Sequence, residues 1–378
     1  MNHALTVCVV LLLAVGVVAV HSAASIRDDA ALRMQYLKHA EVAVAGLACY
    51  FLLACADCKI LLRFSWLLYG ASLGLLGMVL AMGTVIMGAR RWLFGIQPAE
   101  VAKLALILVL AHFLGTPTRR EQGGAGLYFG ALALTALPVG LILLQPDLGT
   151  ALVFCVLAIT LLFVRGCAPK LFWWHAGLTA LLIAHVIGML LLSEHEGLSP
   201  EHRRLAQRAT LLTGYQRERV LTFLFPERDR FNAGWTRWQS EIAVGSGGMW
   251  GKGLKKGDRN LMGYLPASVT SNDFIFSVIA EEAGFAGATT VVALQTALVL
   301  IILGIAFACP EPAGRLYCAG VASVIFWHAF ENIAMTVGLM PVTGLPLPFI
   351  SYGRTFVLML LLALGVVQSF TACRPARE

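Results

Sequence analysis

The sequence predicts an all-α integral membrane protein with about ten transmembrane helices and one large extracytoplasmic loop. Of its 378 residues, 58% are hydrophobic and 13% are charged, and its mean hydropathy is +0.78, whereas a soluble domain carries roughly 25% charged residues. Apolar stretches near the ~20 residues that cross a bilayer as a helix recur along the chain, and the alternation typical of a membrane β-barrel is absent from the sequence. The predicted spans are 4–21, 41–57, 65–86, 100–115, 126–144, 149–165, 171–193, 286–308, 316–338 and 353–371.

Positive charge predicts the orientation of these spans. Ten spans place both termini on one side, and every short loop on that side carries Lys or Arg, which indicates the cytoplasm. These residues are Lys59, Arg63, Arg119, Arg120, Arg165, Lys170, Arg315, Arg374 and Arg377. Short loops on the opposite side also contain basic residues, namely Arg27, Arg33, Lys38, Arg90 and Arg91. The even number of spans places residues 194–285 outside the cytoplasm.

Residues 194–285 form one large insertion in a single polytopic membrane domain that covers residues 1–378. From residue 194 up to and including Asp273, twelve basic residues outnumber nine acidic ones, so the insertion should attract anionic head groups or a substrate that carries phosphate. A solvated loop beside anionic lipid would have the same composition. A loop this long is more often functional than idle.

Asp273 is the most informative residue, because it lies where the polar insertion meets the apolar run 274–279. A carboxylate at the edge of an apolar segment is costly to desolvate, which favours a chemical role beside the membrane. The alternative is structural: Asn272 or Asp273 would cap the N-terminus of the following helix. Position alone leaves both interpretations open.

Polar residues also precede two of the predicted spans. Glu100 and Lys103 lie three residues apart on one helical face and can form an ion pair. Such a pair at the start of a span either neutralises itself structurally or belongs to a polar pocket. Gln145 and Asp147 lie in a tight turn between two spans, and Asp147 is a natural cap for the next helix.

The glycine-rich stretch 245–253 ends in Gly251-Lys252-Gly253 and invites a phosphate-loop interpretation. The spacing excludes that motif, because Ser246 stands at the position of its first glycine and Gly253 at that of its Ser or Thr. The backbone N–H groups of such a stretch can still form a nest that binds an anion.

Two further segments are conformationally constrained. If residues 273–284 are helical, Ser277 and Glu281 share a face with Asp273. Three prolines and two glycines between Met340 and Gly353 exclude a continuous helix there, which predicts a fixed, partly re-entrant crossover.

Five segments in this order resemble the SEDS family (shape, elongation, division and sporulation), most closely its RodA branch. The resemblance extends from about residue 88 to residue 353. The segments are Gly-Ala-Arg-Arg-Trp with Gln-Pro-Ala-Glu-Val-Ala-Lys (88–103), Gln-Pro-Asp-Leu-Gly-Thr (145–150), Gln-Ser-Glu-Ile-Ala-Val-Gly-Ser-Gly-Gly-Met-Trp-Gly-Lys-Gly (239–253), Asp-Phe-Ile-Phe (273–276) and Pro-Leu-Pro-Phe-Ile-Ser-Tyr-Gly (346–353).

The resemblance implies a peptidoglycan glycosyltransferase that polymerises lipid II at the outer face of the cytoplasmic (inner) membrane. Its implied partners are lipid II, a lipid-linked glycan chain, membrane lipids and a class B penicillin-binding protein as transpeptidase, with no nucleic acid. Asp273 matches the family's essential acidic position. The residues carried over as pocket or support residues are Arg91, Glu100, Lys103, Gln145, Asp147, Arg219, Lys252 and Ser351.

The chain departs from the family pattern at two places. Six residues separate the Leu265-Pro266 pair from Asp273 where the family usually has four, and Arg354 follows Gly353 where the family tends to a second glycine. The first departure alters the path of the loop before Asp273. The second adds a cation near the outer face, which can assist a pyrophosphate or change a partner contact.

The reaction that the resemblance implies gives roles to Asp273 and to the cations of the insertion. Joining a sugar hydroxyl to an anomeric carbon that bears a lipid pyrophosphate requires a general base, for which Asp273 is the candidate. It also requires positive charge at the leaving group, from the insertion's arginines and lysines or a divalent cation (Mg²⁺ or Mn²⁺), although no protein metal site is predicted. The α-linked donor gives a β-linked product, so transfer inverts in one displacement. The alternatives are a lipid-linked precursor flippase or transporter, a non-catalytic scaffold, and a division-type (FtsW-like) polymerase.

Overall fold

Ten long apolar helices make up most of the molecule, as the sequence predicts. The structure, a computed structural model, describes residues 1–25, 34–86, 89–116, 124–195, 197–232 and 234–372. Within this part of the chain, ten helices are long and apolar enough to cross a membrane. They are α1 (His3–Ser25), α2 (Gln35–Ala54), α4 (Ser65–Met82), α5 (Pro98–Gly115), α6 (Ala125–Leu143), α7 (Leu148–Arg165), α8 (Pro169–Glu194), α14 (Ile275–Ala308), α15 (Pro312–Thr336) and α16 (Arg354–Ala372).

The remaining elements are short. They are α3 (Cys58–Arg63), the hairpin strands β1 (Thr84–Ile86) and β2 (Ala89–Trp92), and five helices between α8 and α14. Those five are α9 (Pro200–Ala209), α10 (Gly214–Leu224), α11 (Trp235–Ser246), α12 (Asp258–Leu261) and α13 (Ala267–Thr270). The orientation residues Arg27, Arg33, Arg119, Arg120, Arg374 and Arg377, and the family-motif residue Gly88, lie outside the described residues.

Helix α15 is the central support of the bundle, because it packs against α5, α7, α14 and α16. Its apolar side chains are mostly buried, and its buried polar residues include His328, Glu331 and Asn332. Helix α8 is the opposite case, since only Leu190 and Ser193 are buried along its length. Polar residues inside a membrane bundle face the protein interior. The buried polar residues of α15 are therefore available for contacts with the segments that pack against this helix.

Two span boundaries differ from the prediction for clear physical reasons. The third span ends at Met82 instead of residue 86, because Gly83 adopts an extended backbone and the β-branched stretch after it pairs with β2 as an antiparallel hairpin. The eighth span, α14, begins at Ile275, eleven residues before the predicted 286, but it is broken at Gly284 (φ 67°, ψ −164°). The predicted start therefore lies two residues after this break, and the helical turns before the break were not predicted as part of the span.

The crossover between α15 and α16 has the constrained form that its prolines and glycines predict. Residues 341–347 form no helix or strand, and the turn before α16 is buried from Leu347 to Ser351. This segment lies against the start of α14, since Tyr352 N donates to Ser271 O over 2.9 Å. The crossover and the start of α14 thus form one rigid corner around Asp273.

Candidate active site

Asp273 lies just before α14 and is not its cap. Phe274 occupies the N-cap position and no side chain caps the helix, so the interpretation of Asn272 or Asp273 as the cap is wrong. The Asp273 N–H donates to Val269 O over 2.9 Å, which closes a turn. Its partly buried carboxylate faces a cavity of about 310 Å³. The lining residues include Tyr215, Glu218, Arg219, Thr222, Arg237, Pro266 and Val342.

Hydrogen bonds from the membrane bundle fix the backbone beside Asp273. Asn332 Nδ2, on α15, donates to Asp273 O over 2.9 Å and to Leu345 O over 2.8 Å. Ser351 Oγ donates to Asn272 O over 2.6 Å and accepts from Leu347 N over 2.7 Å. The backbone that carries the carboxylate is therefore held by side chains that are themselves fully buried.

Arg219 is the cation beside Asp273. It lies on α10, where its Nη1 donates to Val342 O over 2.7 Å and its Nη2 donates to the Tyr215 hydroxyl. Gly344 (φ 81°) shows how closely these groups converge, because a Cβ there would lie 3.2 Å from Asp273 Oδ2 and 4.0 Å from Arg219 Nη1. A glycine is needed at this position both for its backbone conformation and for space.

Arg91 and Asp147 form an ion pair near Arg219. Asp147 Oδ1 accepts from Thr150 N over 3.2 Å, which confirms the predicted cap of α7. Arg91 Nη1 lies 3.5 Å from Asp147 Oδ2, and its Nη2 donates to Pro146 O over 2.7 Å. A small cavity of about 60 Å³ is lined by Arg91, Asp147 and Arg219 together with Tyr215. Arg219 therefore borders both the cavity of Asp273 and the cavity of Arg91 and Asp147.

Burial raises the pKa of Asp273 to about 6, even though Arg219 and Arg91 lower it; Asp147 adds to the increase. Loss of water disfavours a carboxylate, and here it outweighs two guanidinium groups. A pKa near 6 leaves most Asp273 side chains ionised at neutral pH and makes them more basic than ordinary aspartates. These are the properties of a general base.

The predicted ion pair of Glu100 and Lys103 is present, deeper in the bundle. Lys103 Nζ lies 2.8 Å from Glu100 Oε2 and 2.9 Å from His328 Nε2, and all three side chains are buried. This cluster ties α5 to α15 one turn before Asn332. Gln145 is also structural, since its Nε2 donates to Leu76 O on α4 over 3.3 Å. Both sets of contacts support the site without lining its cavity.

Lys252 lies in a separate cluster. Its Nζ is 2.8 Å from both Glu281 Oε1 and Asp258 Oδ2. Desolvation lowers the pKa of Lys252, but the hydrogen bonds to Asp258 and Glu281 outweigh it and leave that pKa above its ordinary value. Neither Lys252 nor Glu281 lines the Asp273 cavity, and Ser277 Oγ instead lies 2.6 Å from Ser240 Oγ. The predicted common face with Asp273 is absent because residues 273 and 274 precede the helix.

Several site residues were not identified from the sequence. Tyr215 and Arg237 line the cavity, and Arg237 donates to Glu241, Thr222 O, Phe223 O and Gly338 O. The i, i+4 spacing of Arg237 and Glu241 was a usable signal, as was the Thr213–Gln216 capping box of α10. Nothing in the sequence marked Glu331, which lines neither cavity but is fully buried on α15, with Trp327 and Thr343 as polar neighbours.

No group of three or more His, Cys, Asp or Glu side chains could hold a metal ion among the residues that the structure describes. Oxygen ligands from a phosphorylated substrate would be needed to complete any cation site beside Asp273. A divalent cation therefore stays a prediction.

Comparison with known proteins places the chain in a family. The family model FTSW_RODA_SPOVE, described as cell cycle protein, matches residues 2–374. The peptidoglycan glycosyltransferase MrdB of Escherichia coli K12 is 36% identical over 310 residues, which cover 80% of this chain and 76% of MrdB. The peptidoglycan glycosyltransferase RodA of Treponema pallidum is 30% identical over 429 residues, with 98% and 97% covered.

Solved structures agree with these relatives. A chain from a structure reported as the structural coordination of polymerization and crosslinking by a peptidoglycan synthase complex superposes with a TM-score of 0.78 at 31% identity, covering 99% of this chain and 98% of its own. The crystal structure of the rod shape determining protein RodA from Thermus thermophilus gives 0.68 at 28% identity, with 100% and 98% covered. The resemblance inferred from the five motifs is confirmed: this chain belongs to the FtsW, RodA and SpoVE family.

Proposed function

We propose that this protein is a peptidoglycan glycosyltransferase of cell elongation that polymerises lipid II, with Asp273 as its general base. The observation that carries the assignment of Asp273 is the convergence of its carboxylate and the Arg219 guanidinium on one cavity. A base and a cation side by side are what glycosyl transfer from a pyrophosphate donor requires. The names of the relatives support the activity.

The reaction is a single displacement. Asp273 takes the proton from the 4-hydroxyl of the acceptor sugar as that oxygen bonds to the anomeric carbon of the donor. The bond from the anomeric carbon to the diphosphate oxygen breaks, and its electron pair leaves with the lipid diphosphate. The configuration inverts and no covalent enzyme intermediate forms.

The cations of the site have distinct duties in this mechanism. Arg219 borders both cavities, so it is placed to meet the negative charge that develops on the diphosphate. Arg91 is held by Asp147 and by the carbonyl oxygen of Pro146, and its positive charge adds to that of Arg219. Arg237 donates to three backbone carbonyl oxygens as well as to Glu241, so its role is to hold the cavity wall.

We infer the cellular setting as part of the same proposal. The active site faces the periplasm across the cytoplasmic membrane, and a class B penicillin-binding protein crosslinks the strands. Charge in the short loops supports this orientation. The similarity to a synthase complex of polymerization and crosslinking supports the transpeptidase partner.

Reconstitution of the purified protein with lipid II and the transpeptidase tests the proposal. The wild type should produce glycan strands on a gel, and Asp273→Asn should lose about 10²–10⁴-fold of the rate while inserting normally into membranes. Glu227→Gln is the matched control, because Glu227 is an exposed acid of the same insertion. Wild-type rates from Asp273→Asn would overturn the base assignment. Head-group translocation without strands would instead indicate a transporter.

A further inference from the structure

The glycine-rich stretch 245–253 contributes no residue to the cavity that contains Asp273. Residues 247–256, called here the glycine loop, pack through their backbone against α14. Phe285 N donates to Gly248 O over 2.8 Å, and Ala286 N donates to Met249 O over 3.1 Å. Gly253 N donates to Glu282 O over 2.9 Å. The glycines permit this approach, since a Cβ at Gly251 would overlap the Glu282 carbonyl oxygen.

Two membrane spans fix the depth of the glycine loop. After the break at Gly284, the stretch 285–308 is about 36 Å long at ~1.5 Å per residue, slightly more than the ~30 Å of bilayer hydrocarbon. Phe285 is its first residue and therefore lies at the membrane boundary. Lys255 N donates over 3.1 Å to Ser22 Oγ, which lies in the last turn of the first span. Both spans therefore end at the level of this loop.

The exposed side chains of the loop and of the adjoining residue Phe285 on α14 suit that depth. Trp250 is 79% exposed and Phe285 is 64% exposed, and Met249 and Leu254 are also exposed. Phe285 continues the outward face of α14 that runs through Val292 and Leu300. Tryptophan is enriched at membrane–water interfaces. An apolar surface continuous with the outer face of a span is covered by lipid.

Positive charge borders this apolar surface. Lys255 and Lys256 are exposed and follow Leu254 directly. Lys252 is committed to Glu281 and Asp258, so it does not contribute to the charged border. Lysines beside interfacial apolar residues attract anionic lipid head groups.

We propose that the glycine loop is an interfacial membrane anchor. Met249, Trp250 and Leu254 enter the head-group region of the bilayer, and Lys255 and Lys256 bind anionic lipid. The close backbone packing on α14 makes the anchor rigid, so it fixes the height of the insertion above the bilayer. This inference rests on the membrane spans and is independent of the proposed activity.

Tryptophan quenching by brominated lipids tests the depth. The full-length protein is reconstituted in vesicles whose phosphatidylcholine carries bromine near the acyl-chain carbonyl region, and the emission lost in Trp250→Phe is obtained by difference from the wild type. This Trp250 component should lose most of its emission to brominated lipid and little to aqueous iodide. Trp238→Phe is the matched control, since Trp238 lies in the same insertion against Arg230 and Trp235, and its component should not respond to the lipid.

The head-group part has its own measurement. In vesicles that contain brominated phosphatidylglycerol or brominated phosphatidylcholine at equal fraction, the Trp250 component should be quenched more strongly by phosphatidylglycerol. Lys255→Gln with Lys256→Gln should abolish that preference, whereas Arg204→Gln with Arg208→Gln, an equal charge change in α9, should preserve it. Equal quenching of the wild type by both lipids would overturn the binding of anionic lipid.

Two outcomes would overturn the anchor itself. In the first, iodide quenches the Trp250 component and lipid does not, which places the loop in water. In the second, lipid fails to quench and the component becomes shielded from iodide only when the transpeptidase is added, which makes the surface a protein interface.

Discussion

Burial raises the pKa of Asp273 and the nearby arginines lower it, and the result is a pKa of about 6. Activity of the free enzyme should therefore fall as pH drops through about 6, since a protonated carboxyl group cannot accept the hydroxyl proton. Arg219→Gln removes the largest influence that lowers this pKa, so the acid limb of kcat/KM should move to higher pH. The pH profiles of the wild type, Arg219→Gln and the neighbouring control Arg217→Gln measure this shift. If the acid limb is unchanged in Arg219→Gln, the limb does not arise from the titration of Asp273.

The same raised pKa predicts that Asp273 lowers stability. The folded state binds a proton more tightly than the unfolded state, whose aspartate has a pKa near its ordinary 3.8. Stability therefore decreases as pH rises from about 4 to about 6 and stays lower above that range. Asp273→Asn should raise the apparent Tm at pH 8, by an effect on the order of 1–3 kcal/mol, and the gain should disappear below pH 4. Thermal unfolding of both proteins at several pH values tests it; a gain that is independent of pH would exclude titration of Asp273 as the cause.

Contacts between residues close in sequence could be predicted for the candidate site, and contacts between distant residues could not. Asp147 capping α7 and the pairing of Glu100 with Lys103 are local in sequence, so their spacing was sufficient. Arg219 and Asp273 are distant in sequence and meet only because the 341–345 segment passes between α10 and the start of α14. Lys252 shows the converse, because its Gly-Lys-Gly context suggested phosphate while its ammonium group contacts Glu281 and Asp258.

The break in α14 and the glycine loop are a single structural element. Gly284 and Gly251 are packed backbone to backbone, and each has a positive φ. Gly251→Ala should lower the Tm clearly, because the new Cβ meets the Glu282 carbonyl in a backbone conformation that costs an L-residue about 1–3 kcal/mol. Gly74→Ala in α4 is the control, since nothing lies within 4 Å of a Cβ there, and it should not lower the Tm. Equal Tm values for the two variants would refute the close packing.

The spans were predictable because bilayer thickness and hydrophobicity alone determine them. The elements between α8 and α14 were not, since each is short and its position depends on tertiary packing: α11 packs against α14 and α15, whereas α9 packs against α8. The hairpin of β1 and β2 was missed because Thr84, Val85 and Ile86 continue the apolar pattern of α4. The periodicity of an apolar run cannot show where a helix gives way to a strand.

At the scale of the whole molecule, buried charge in the bundle is connected to the site above it. Lys103 bridges Glu100 on its own helix and His328 on α15, and Asn332, one turn beyond His328, holds the backbone of Asp273. A shift of α15 against α5 would move the carboxylate. These contacts therefore make the membrane core the positioning frame of the candidate active site around Asp273.

Removing one charge of the Glu100–Lys103 pair should lower the Tm more than removing both charges. Lys103→Met leaves Glu100 buried without its cation, a loss that costs about 3–5 kcal/mol for buried pairs, and it should lower both the Tm and the rate of polymer synthesis. The double variant Glu100→Gln with Lys103→Met removes both charges and should recover much of the Tm, because a neutral pair has little desolvation cost.

Lys170→Met, at an exposed lysine near the start of α8, controls for the loss of a cation. Thermal unfolding and strand synthesis of the four proteins decide the point: a double variant less stable than Lys103→Met alone would mean that Glu100 stabilises the bundle without Lys103. Recovery of Tm without recovery of synthesis would show that the frame must carry charge to position Asp273, beyond holding α5 and α15 together.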